Sequence, residues 1–455
     1  MNPGTVEHYL RPGTLQLPAL PPLSLYVHLP WCLKKCPYCD FNSHEMDVAP
    51  KTRGTASALQ VSPVQWPGSS RGTSGPQGLL VSGLGPQGGV SGLGRPGAGP
   101  ARAIPESRYL EALRADLEAA LPLVWGRPVI SVFIGGGTPS LFAPDSIERL
   151  LADIRALMPL VPGCEITLEA NPGTFERERF RAFRAAGVTR LSIGVQSFHD
   201  ASLRAIGRVH DAAQARAAVE EAAQAFDSFN IDLMYALPGQ TMAQLRSDLD
   251  AALAFGPPHL SIYHLTLEPN TFFATHPPPL PDEDLAAQML DLIGLRCADA
   301  GLQRYEVSAF AREGHRCRHN LNYWQFGDYL GIGAGAHGKL SFPHRLLRQQ
   351  RWREPARYME QALAGQALSQ QEEVARAELP FEFMLNALRL REGVPRSLFS
   401  ERTGMPASAI DAAVLKAQAR GLLQADLHTL RPTERGFDFL SDLQSMFLPA
   451  RAARP

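Results

Sequence analysis

The stretch that decides the fold is Tyr26-Val-His-Leu-Pro-Trp-Cys-Leu-Lys-Lys-Cys-Pro-Tyr-Cys-Asp-Phe41. Its three cysteines, Cys32, Cys36 and Cys39, follow the spacing C-x3-C-x2-C and offer three thiolates. A closed structural zinc site takes four ligands, commonly from two C-x2-C halves, and this sequence has no second half. Three thiolates suit a [4Fe–4S] cluster, in which one iron stays open to a small molecule.

The other cysteines, Cys164, Cys297 and Cys317, are scattered singly along the sequence. A zinc site completed by His28 or His44 is the alternative to the cluster. Three of only six cysteines in 455 residues fall within eight positions, which makes chance clustering a poor explanation. We therefore favour the iron–sulfur cluster.

Composition and length limit the class of protein. The chain has 455 residues, of which 45% are hydrophobic, so we expect two or three domains with a sizeable core. The net charge of −1 gives no basic surface for nucleic acid and no electrostatic argument for a membrane partner. The N-terminus lacks the pattern of a signal peptide, and no apolar stretch reaches membrane-spanning length. We expect a cytoplasmic protein with reduced thiols and no membrane span.

The sequence divides into three parts with one interruption. Residues 1–23 are expected to form an N-terminal tail, 24–340 a core, and 341–455 a C-terminal domain made of helices. Residues 48–105 interrupt the core and are rich in glycine and proline, with no Asp or Glu. Such a stretch buries too little apolar surface to offset its ordering entropy, which predicts a disordered insertion that serves as a passive linker.

Short β-rich runs alternate with helical patterns in the core. The runs are Ser24–Leu29, Val129–Ile134, Cys164–Glu169, Arg190–Gln196, Phe229–Tyr235 and His259–Leu265. This alternation predicts an α/β fold with a parallel sheet and helices outside it. The runs read as continuously apolar, which is typical of strands buried on both faces.

Unusual residues follow the successive strands at the same end. The cysteine loop follows the first run, and Gly135-Gly-Gly-Thr138 follows the second. Glu169 ends the third run, Gln196 ends the fourth, and Asp232 lies in the fifth. Because α/β barrels build their sites at the carboxyl ends of the strands, we expect these residues to share one site.

Residues 24–340, apart from the insertion, resemble the radical S-adenosylmethionine (radical SAM) family that contains oxygen-independent coproporphyrinogen III oxidase and heme chaperones. Four strings carry the resemblance: Tyr26–Cys32, Ile134-Gly-Gly-Gly-Thr-Pro-Ser140, Leu191-Ser-Ile-Gly-Val-Gln-Ser-Phe198 and Asp232-Leu-Met-Tyr-Ala-Leu-Pro-Gly239. The resemblance implies a partial (β/α)6-type barrel followed by a helical, winged-helix-like C-terminal domain.

The resemblance also implies the residues of the site. Cys32, Cys36 and Cys39 would hold the cluster, and its open iron would bind S-adenosylmethionine. The residues implied to contact this cofactor or the cluster are Tyr26, Tyr38, Gly136, Gly137, Thr138, Glu169, Gln196, Arg208 and Asp232. The two glycines would let the backbone approach the methionine end of the cofactor without an intervening side chain.

Each of these residues also has an ordinary structural explanation. The glycines fit a strand-to-helix turn, Glu169 fits a solvated loop acid, and Arg208 fits an exposed arginine near a helix. Asp232 lies inside an apolar run, so a buried carboxylate there needs a partner whether or not it contacts a cofactor.

A second group of candidate functional residues lies at His319-Asn-Leu-Asn-Tyr-Trp324. It is similar to the H-N-x-x-Y-W motif of the heme chaperones, which implies that His319 binds heme while Tyr323 and Trp324 supply flat apolar contact. A hydrogen-bonded structural histidine is the alternative.

Three functions remain in view from the sequence. The favoured function is a heme chaperone that passes heme to a recipient, with a respiratory protein as the candidate recipient; whether it also cleaves S-adenosylmethionine as an enzyme stays open. The alternative is coproporphyrinogen III oxidase, but that enzyme continues its motif as C-x3-C-x2-C-x-C, whereas Asp40-Phe41 follows Cys39 here. A radical enzyme acting on RNA ranks last, because no basic surface is evident.

Overall fold

The computed structural model describes Tyr9 and residues 11–46, 103–173 and 179–449. Residues 11–46 and 104–449 fall in one compact unit. The insertion predicted at 48–105 lies outside the described residues except for 103–105, so its disorder stays a prediction.

A twelve-stranded sheet runs through the described residues. In chain order its strands β1 to β12 are Leu23–Leu29, Val129–Gly136, Leu160–Ala170, Arg190–Gln196, Ser228–Tyr235, His259–His264, Gln303–Arg304, Ala309–Ala311, Asp328–Ile332, His337–Phe342, Arg345–Arg351 and Leu368–Glu373. Across the sheet they lie in the order β12-β11-β10-β9-β1-β2-β3-β4-β5-β6-β8-β7. The cysteine loop adds a short parallel pair, Trp31–Cys32 with His44–Glu45.

The six predicted strands are β1 to β6, and each is parallel to its neighbour. On the other side of β1 lies β9, which is also parallel to it although it comes late in the chain. The remaining pairs are antiparallel, and β12 and β7 form the two edges of the sheet. The fold is therefore α/β with an open sheet, as expected for a partial barrel.

Helices occupy the predicted positions between the parallel strands. In chain order α1 to α15 are Glu106–Val124, Pro144–Leu157, Phe180–Ala186, Asp200–Ala205, Ala212–Ala225, Met242–Ala254, Phe272–Thr275, Glu283–Asp299, Arg318–Trp324, Pro355–Leu363, Leu379–Ala387, Ser397–Thr403, Asp411–Ala419, Glu434–Asp438 and Leu440–Ser445. Capping boxes begin α5 at Asp211 and α6 at Thr241. In the part of the chain that the structure describes, no helix has the length and apolar character needed to cross a bilayer.

The strands β1 to β6 have one apolar face and one polar face. Val27, Ile134, Leu168, Leu191 and Ile231 are buried with the helices in one hydrophobic cluster. The residues that alternate with them include Ser24, Tyr26, Ser192, Asn230, Asp232 and Ser261. The prediction that these strands are continuously apolar is therefore wrong for one of their two faces.

The region after residue 340 begins with strands and not with helices. Strands β11 and β12 extend the sheet to Glu373, and α11 is the first helix of the second hydrophobic cluster. Pattern reading missed both strands because Arg345–Arg351 and Leu368–Glu373 are mostly polar, and their pairing depends on a neighbouring strand and not on apolar alternation. The domain boundary at 340 stays a prediction. A two-residue pair, Val394–Pro395 with Thr429–Leu430, accompanies the C-terminal helices.

Candidate functional site

The carboxyl ends of the parallel strands surround a cavity of about 470 Å³. Of the residues predicted for the site, those that line it are Cys32, Cys36, Tyr38, Cys39, Gly136, Gly137, Thr138, Glu169, Gln196, Arg208 and Asp232. Tyr26 and His319 are not among the lining residues, but Asn320, the neighbour of His319, is. The structure thus brings eleven of the thirteen predicted residues to one cavity, while their individual roles stay predictions.

Each thiol of the cysteine loop has a polar neighbour. Thr138 Oγ1 lies 3.5 Å from Cys32 Sγ, Arg208 Nη1 lies 3.8 Å from Cys36 Sγ, and Ser43 Oγ lies 3.6 Å from Cys39 Sγ. These groups can donate to thiolate sulfur, a contact that tunes iron–sulfur clusters. The cavity therefore offers three supported thiols side by side, which fits a cubane held by three cysteines.

The zinc alternative finds no such support. Among the described residues, no three His, Cys, Asp or Glu side chains converge on a single metal-ion position. Both ring nitrogens of His28 are already engaged, Nδ1 with Tyr26 Oη at 2.9 Å and Nε2 with the Asn42 carbonyl at 2.9 Å. A cubane makes no demand for convergence on one point, because its thiolates bind three different irons.

The two glycines of the site pack closely against the cysteine loop, and their predicted contact with the cofactor stays a prediction. A Cβ on Gly136, whose φ is +117°, would lie 2.7 Å from the His28 ring, and a Cβ on Gly137 would lie 2.5 Å from the Trp31 carbonyl oxygen. The backbone N–H groups of Gly137 and Thr138 donate to the carbonyls of Leu29 and Trp31 at 2.8 and 2.7 Å. The atoms that approach these glycines are therefore the protein's own, and the glycines seat the cysteine loop against β2.

Two of the carboxyl groups that line the cavity, Glu169 and Asp232, were predicted for the site, and each has partners. Glu169 Oε2 accepts a hydrogen bond from the Gly136 N–H at 3.1 Å. Asp232 accepts from Ser192 Oγ at 3.0 Å and from Asn230 Nδ2 at 2.8 Å, which supplies the partner that its burial requires. Burial, and next the charge of Asp232, raise the pKa of Glu169 to about 8. Near neutral pH this carboxyl can therefore donate as well as accept a hydrogen bond.

Arg208 is anchored at the site and is not an exposed arginine. Its Nη2 donates to Asn171 Oδ1 and to the Gly194 carbonyl, both at 2.6 Å. Next to it, Gln196 adopts a left-handed φ of +67° at an irregularity in the pairing of β4 with β5. The bend at the end of β4 turns the chain so that both side chains border the cavity.

His319 lies behind the cavity wall and is only 4% exposed. Its Nδ1 is 3.2 Å from Ser131 Oγ, and its ring lies 5.0 Å from the ring of Phe133 and 6.3 Å from that of Tyr26. Burial, and next the charge of Arg190, lower the pKa of His319 to about 3. The imidazole is thus neutral, the form that ligates metal, but it is enclosed by the protein in this conformation.

The two aromatic residues of the same motif are also engaged within the protein. Tyr323 stacks on Tyr329 with ring centroids 4.0 Å apart, and the Arg389 guanidinium lies 4.2 Å from the Trp324 ring. The flat contacts predicted for them are therefore taken by neighbouring side chains here.

Glu165 is a residue that the sequence analysis missed. It lies on β3, and its Oε1 accepts from the backbone N–H groups of Arg318 at 2.9 Å and His319 at 3.3 Å. The Cys317 thiol lies 3.6 Å from the same oxygen. A carboxylate from a distant strand therefore caps the helix that carries His319.

A chain of hydrogen bonds joins Asp232 to the start of the same helix. Asn230 donates to Asp232, and its Oδ1 lies 2.6 Å from His259 Nδ1. His259 Nε2 lies 2.9 Å from Tyr305 Oη, which in turn accepts from the Cys317 N–H at 3.4 Å. The period-two placement of Asn230 with Asp232 could have indicated this polar face, because alternate residues of a strand point the same way.

Comparison with known proteins places the sequence among radical SAM proteins. The Radical SAM superfamily profile matches residues 26–252, and the HemN C-terminal domain profile matches residues 374–439. Heme chaperone HemW of Haemophilus influenzae is 40% identical over 438 residues, covering 95% of this chain and 99% of that protein. Heme chaperone HemW of Escherichia coli is 40% identical over 431 residues, covering 94% and 99%.

More distant relatives share the architecture. The mouse protein named radical S-adenosyl methionine domain-containing protein 1, mitochondrial, is 32% identical over 440 residues, covering 94% of this chain and 87% of its own length. The solved structure of Escherichia coli coproporphyrinogen III oxidase (HemN), a radical SAM enzyme, superposes with a TM-score of 0.70 at 22% identity. The superposition covers 94% of this chain and 90% of that one, which shows a common fold.

Replacing Glu165 with alanine should loosen α9. Loss of a cap costs about 1 kcal/mol, so amide hydrogen exchange of residues 318–324, followed by mass spectrometry, should become about five-fold faster. The Glu165→Gln variant keeps an acceptor oxygen and serves as the matched control. Equal exchange in the alanine variant and the parent would show that Glu165 does not hold the helix.

The raised pKa of Glu169 predicts a pH-dependent stability. Its folded pKa of about 8 lies above the ordinary 4.5, so the folded protein binds this proton more tightly than the unfolded chain does. The stabilising contribution is complete below about pH 4.5 and is lost as the pH rises to about 8. Urea midpoints of the metal-free protein should fall across this window, and less so in Glu169→Gln. Parallel profiles for the two proteins would contradict the assignment.

Proposed function

The chain belongs to the HemW heme chaperone family of radical SAM proteins, and from this premise we propose that it holds a [4Fe–4S] cluster, S-adenosylmethionine and heme, and delivers heme to a recipient protein. One observation carries the proposal beyond the family name. The helix with the His319-Asn-Leu-Asn-Tyr-Trp324 motif borders, through Asn320, the same cavity that the three cysteines border at its other end.

The proposed cluster ligands are Cys32, Cys36 and Cys39. When bound, the cluster supplies an open iron for S-adenosylmethionine and a store of one electron. Thr138, Ser43 and Arg208 lie within reach of the thiols and would stabilise their charge. The proposal is supported by the chemistry of this donor set and by the cavity beside it.

The chain's own polar groups would hold the cofactor in that cavity. Glu169 can accept from or donate to a ribose hydroxyl, since its pKa is raised to about 8. Asp232, Gln196 and Tyr38 line the same space. The cavity volume of about 470 Å³ lies in the range typical of small-molecule sites.

Heme would bind at α9 with His319 as the iron ligand. The imidazole is neutral, as a ligand must be, but Ser131 and the aromatic rings around it enclose it. Ligation therefore requires α9 to turn His319 outward. Such a movement would break the contacts of Glu165 and Tyr305 at the start of the helix and those of Asn322, whose Nδ2 donates to Ser24 Oγ at 2.9 Å and to the Asp328 carbonyl at 2.8 Å.

The domain division and the passive role of residues 48–105 remain part of this proposal, as do a cytoplasmic location and a respiratory recipient of heme. The family relationship and the reducing environment that free thiols require support the location.

The test compares heme with coproporphyrinogen III under anaerobic conditions. The protein with reconstituted cluster should retain about one heme per chain through gel filtration, and His319→Ala should lose most of it because the iron loses its ligand. The exposed His428→Ala variant is the control and should retain heme as the parent does.

Coproporphyrinogen III distinguishes the alternative activity. With S-adenosylmethionine and a reductant, the protein should leave coproporphyrinogen unchanged, as followed by chromatography of the oxidised porphyrins. Efficient formation of protoporphyrinogen would establish the oxidase and overturn the proposal, as would equal heme retention in His319→Ala.

A further inference from the structure

Arg190, the first residue of β4, lies at the cavity without a partner. Its side chain borders the cavity, and the residue is only 3% exposed. Its Nε is buried and has no hydrogen-bond partner. Within residues 11–46, 103–173 and 179–449, no hydrogen bond and no ion pair of its guanidinium occurs. An arginine this deeply buried is ordinarily paired.

The acceptors around Arg190 are committed to other donors. Glu165 Oε1 faces two backbone N–H groups of α9 and the Cys317 thiol. Asp232 accepts from Ser192 and Asn230. None of these carboxylate oxygens comes within 4.0 Å of the Arg190 guanidinium to form an ion pair. The positive charge is therefore available to a ligand.

The positive charge of Arg190 affects the pKa of neighbouring side chains, because little water screens it at this buried position. After burial itself, Arg190 is the next cause that lowers the pKa of His319 and of His259. Burial lowers the pKa of Arg190, but nearby groups, Cys317 and Glu165 foremost, raise it above its ordinary value. None of them accepts a hydrogen bond from the guanidinium, so its buried Nε–H lacks an acceptor. A bound anion would supply acceptors for the guanidinium.

The position of Arg190 separates it from the cluster. Gln196, at the far end of β4, is six residue steps from Arg190, so their Cα atoms are about 20 Å apart at the usual rise of a strand. Gln196 and the cysteine loop lie at the carboxyl end, whereas Arg190 lies at the end near α9. An S-adenosylmethionine whose carboxylate binds the cluster iron would leave Arg190 unoccupied.

We propose that Arg190 binds a ligand carboxylate at the end of the cavity nearest α9, and that a propionate side chain of the tetrapyrrole supplies it. The inference rests on the proposed function for the identity of this ligand. The guanidinium matches a carboxylate with two parallel N–H donors, a geometry that lysine does not offer. The contact would orient heme relative to His319, since Asn320 borders the same cavity.

The test uses the full chain with its cluster and the variants Arg190→Gln and Arg190→Lys. Dissociation constants are measured for heme, for heme dimethyl ester, whose propionates are masked, and for S-adenosylmethionine. Arg190→Gln should bind heme about ten-fold or more weakly and the ester as the parent does, because only the charge-assisted bond is lost. The heme affinity of Arg190→Lys should lie between that of Arg190→Gln and that of the parent. The exposed Arg246→Gln variant is the control and should match the parent.

Thermal unfolding of the ligand-free variants tests whether the Arg190 guanidinium is unpaired in the protein. If Arg190 has no hydrogen-bond partner in the protein, Arg190→Gln should unfold at the same temperature as the parent or at a higher one, because the buried guanidinium that is removed makes no hydrogen bond or ion pair. A marked fall in the unfolding temperature would show that the guanidinium holds the fold together and would count against a ligand role.

The remaining outcomes decide the source of the carboxylate. Weaker S-adenosylmethionine binding with unchanged heme binding would keep the carboxylate site and assign it to the methionine end of that cofactor. Unchanged binding of both ligands overturns the inference while heme retention by the parent still supports the proposed function. Should the parent itself fail to bind heme, the proposed function fails, and coproporphyrin III, which carries four propionates and needs no iron ligand, tests Arg190 separately.

Discussion

The structure depends on one constraint: parallel strands β1 to β6 present a polar face to the cavity, and the buried groups on that face need hydrogen-bond partners. The opposite faces pack apolar side chains against helices. On the polar face, Ser192, Asn230 and Asp232 form a closed set of hydrogen bonds, and His259 and Tyr305 extend it to α9. These hydrogen bonds hold much of the polar lining of the cavity in place.

The cysteine loop is held to that site by backbone contacts. Gly136 and Gly137 allow His28 and Trp31 to pack directly on the end of β2, and the pair Trp31–Cys32 with His44–Glu45 closes the loop. The cysteines therefore face the same space as Glu169 and Asp232. A chain of hydrogen bonds runs from Asp232, which lines the cavity together with the cysteines, to Cys317 at the start of α9.

Much of this arrangement was predictable from sequence. The positions of β1 to β6, the cysteine trio and Glu169 follow from periodicity, spacing and the common edge of parallel strands. The role of Glu165 was not predictable, because it depends on contacts between β3 and a helix more than a hundred residues later. The isolation of Arg190 was not predictable either, because it depends on which groups of distant segments the fold places around β4. Strands β11 and β12 were not predicted for a similar reason, because they form by pairing with a neighbouring strand and their own sequences lack an apolar alternation.

Every functional conclusion requires that the three thiols hold a cluster with an iron accessible from the cavity. Electron paramagnetic resonance of the anaerobically reconstituted and reduced protein, combined with metal analysis, measures this property. The expected result is about four irons per chain and a cluster spectrum that changes when S-adenosylmethionine is added, both lost in Cys36→Ser. Zinc in place of iron, or a cluster spectrum indifferent to S-adenosylmethionine, would contradict it.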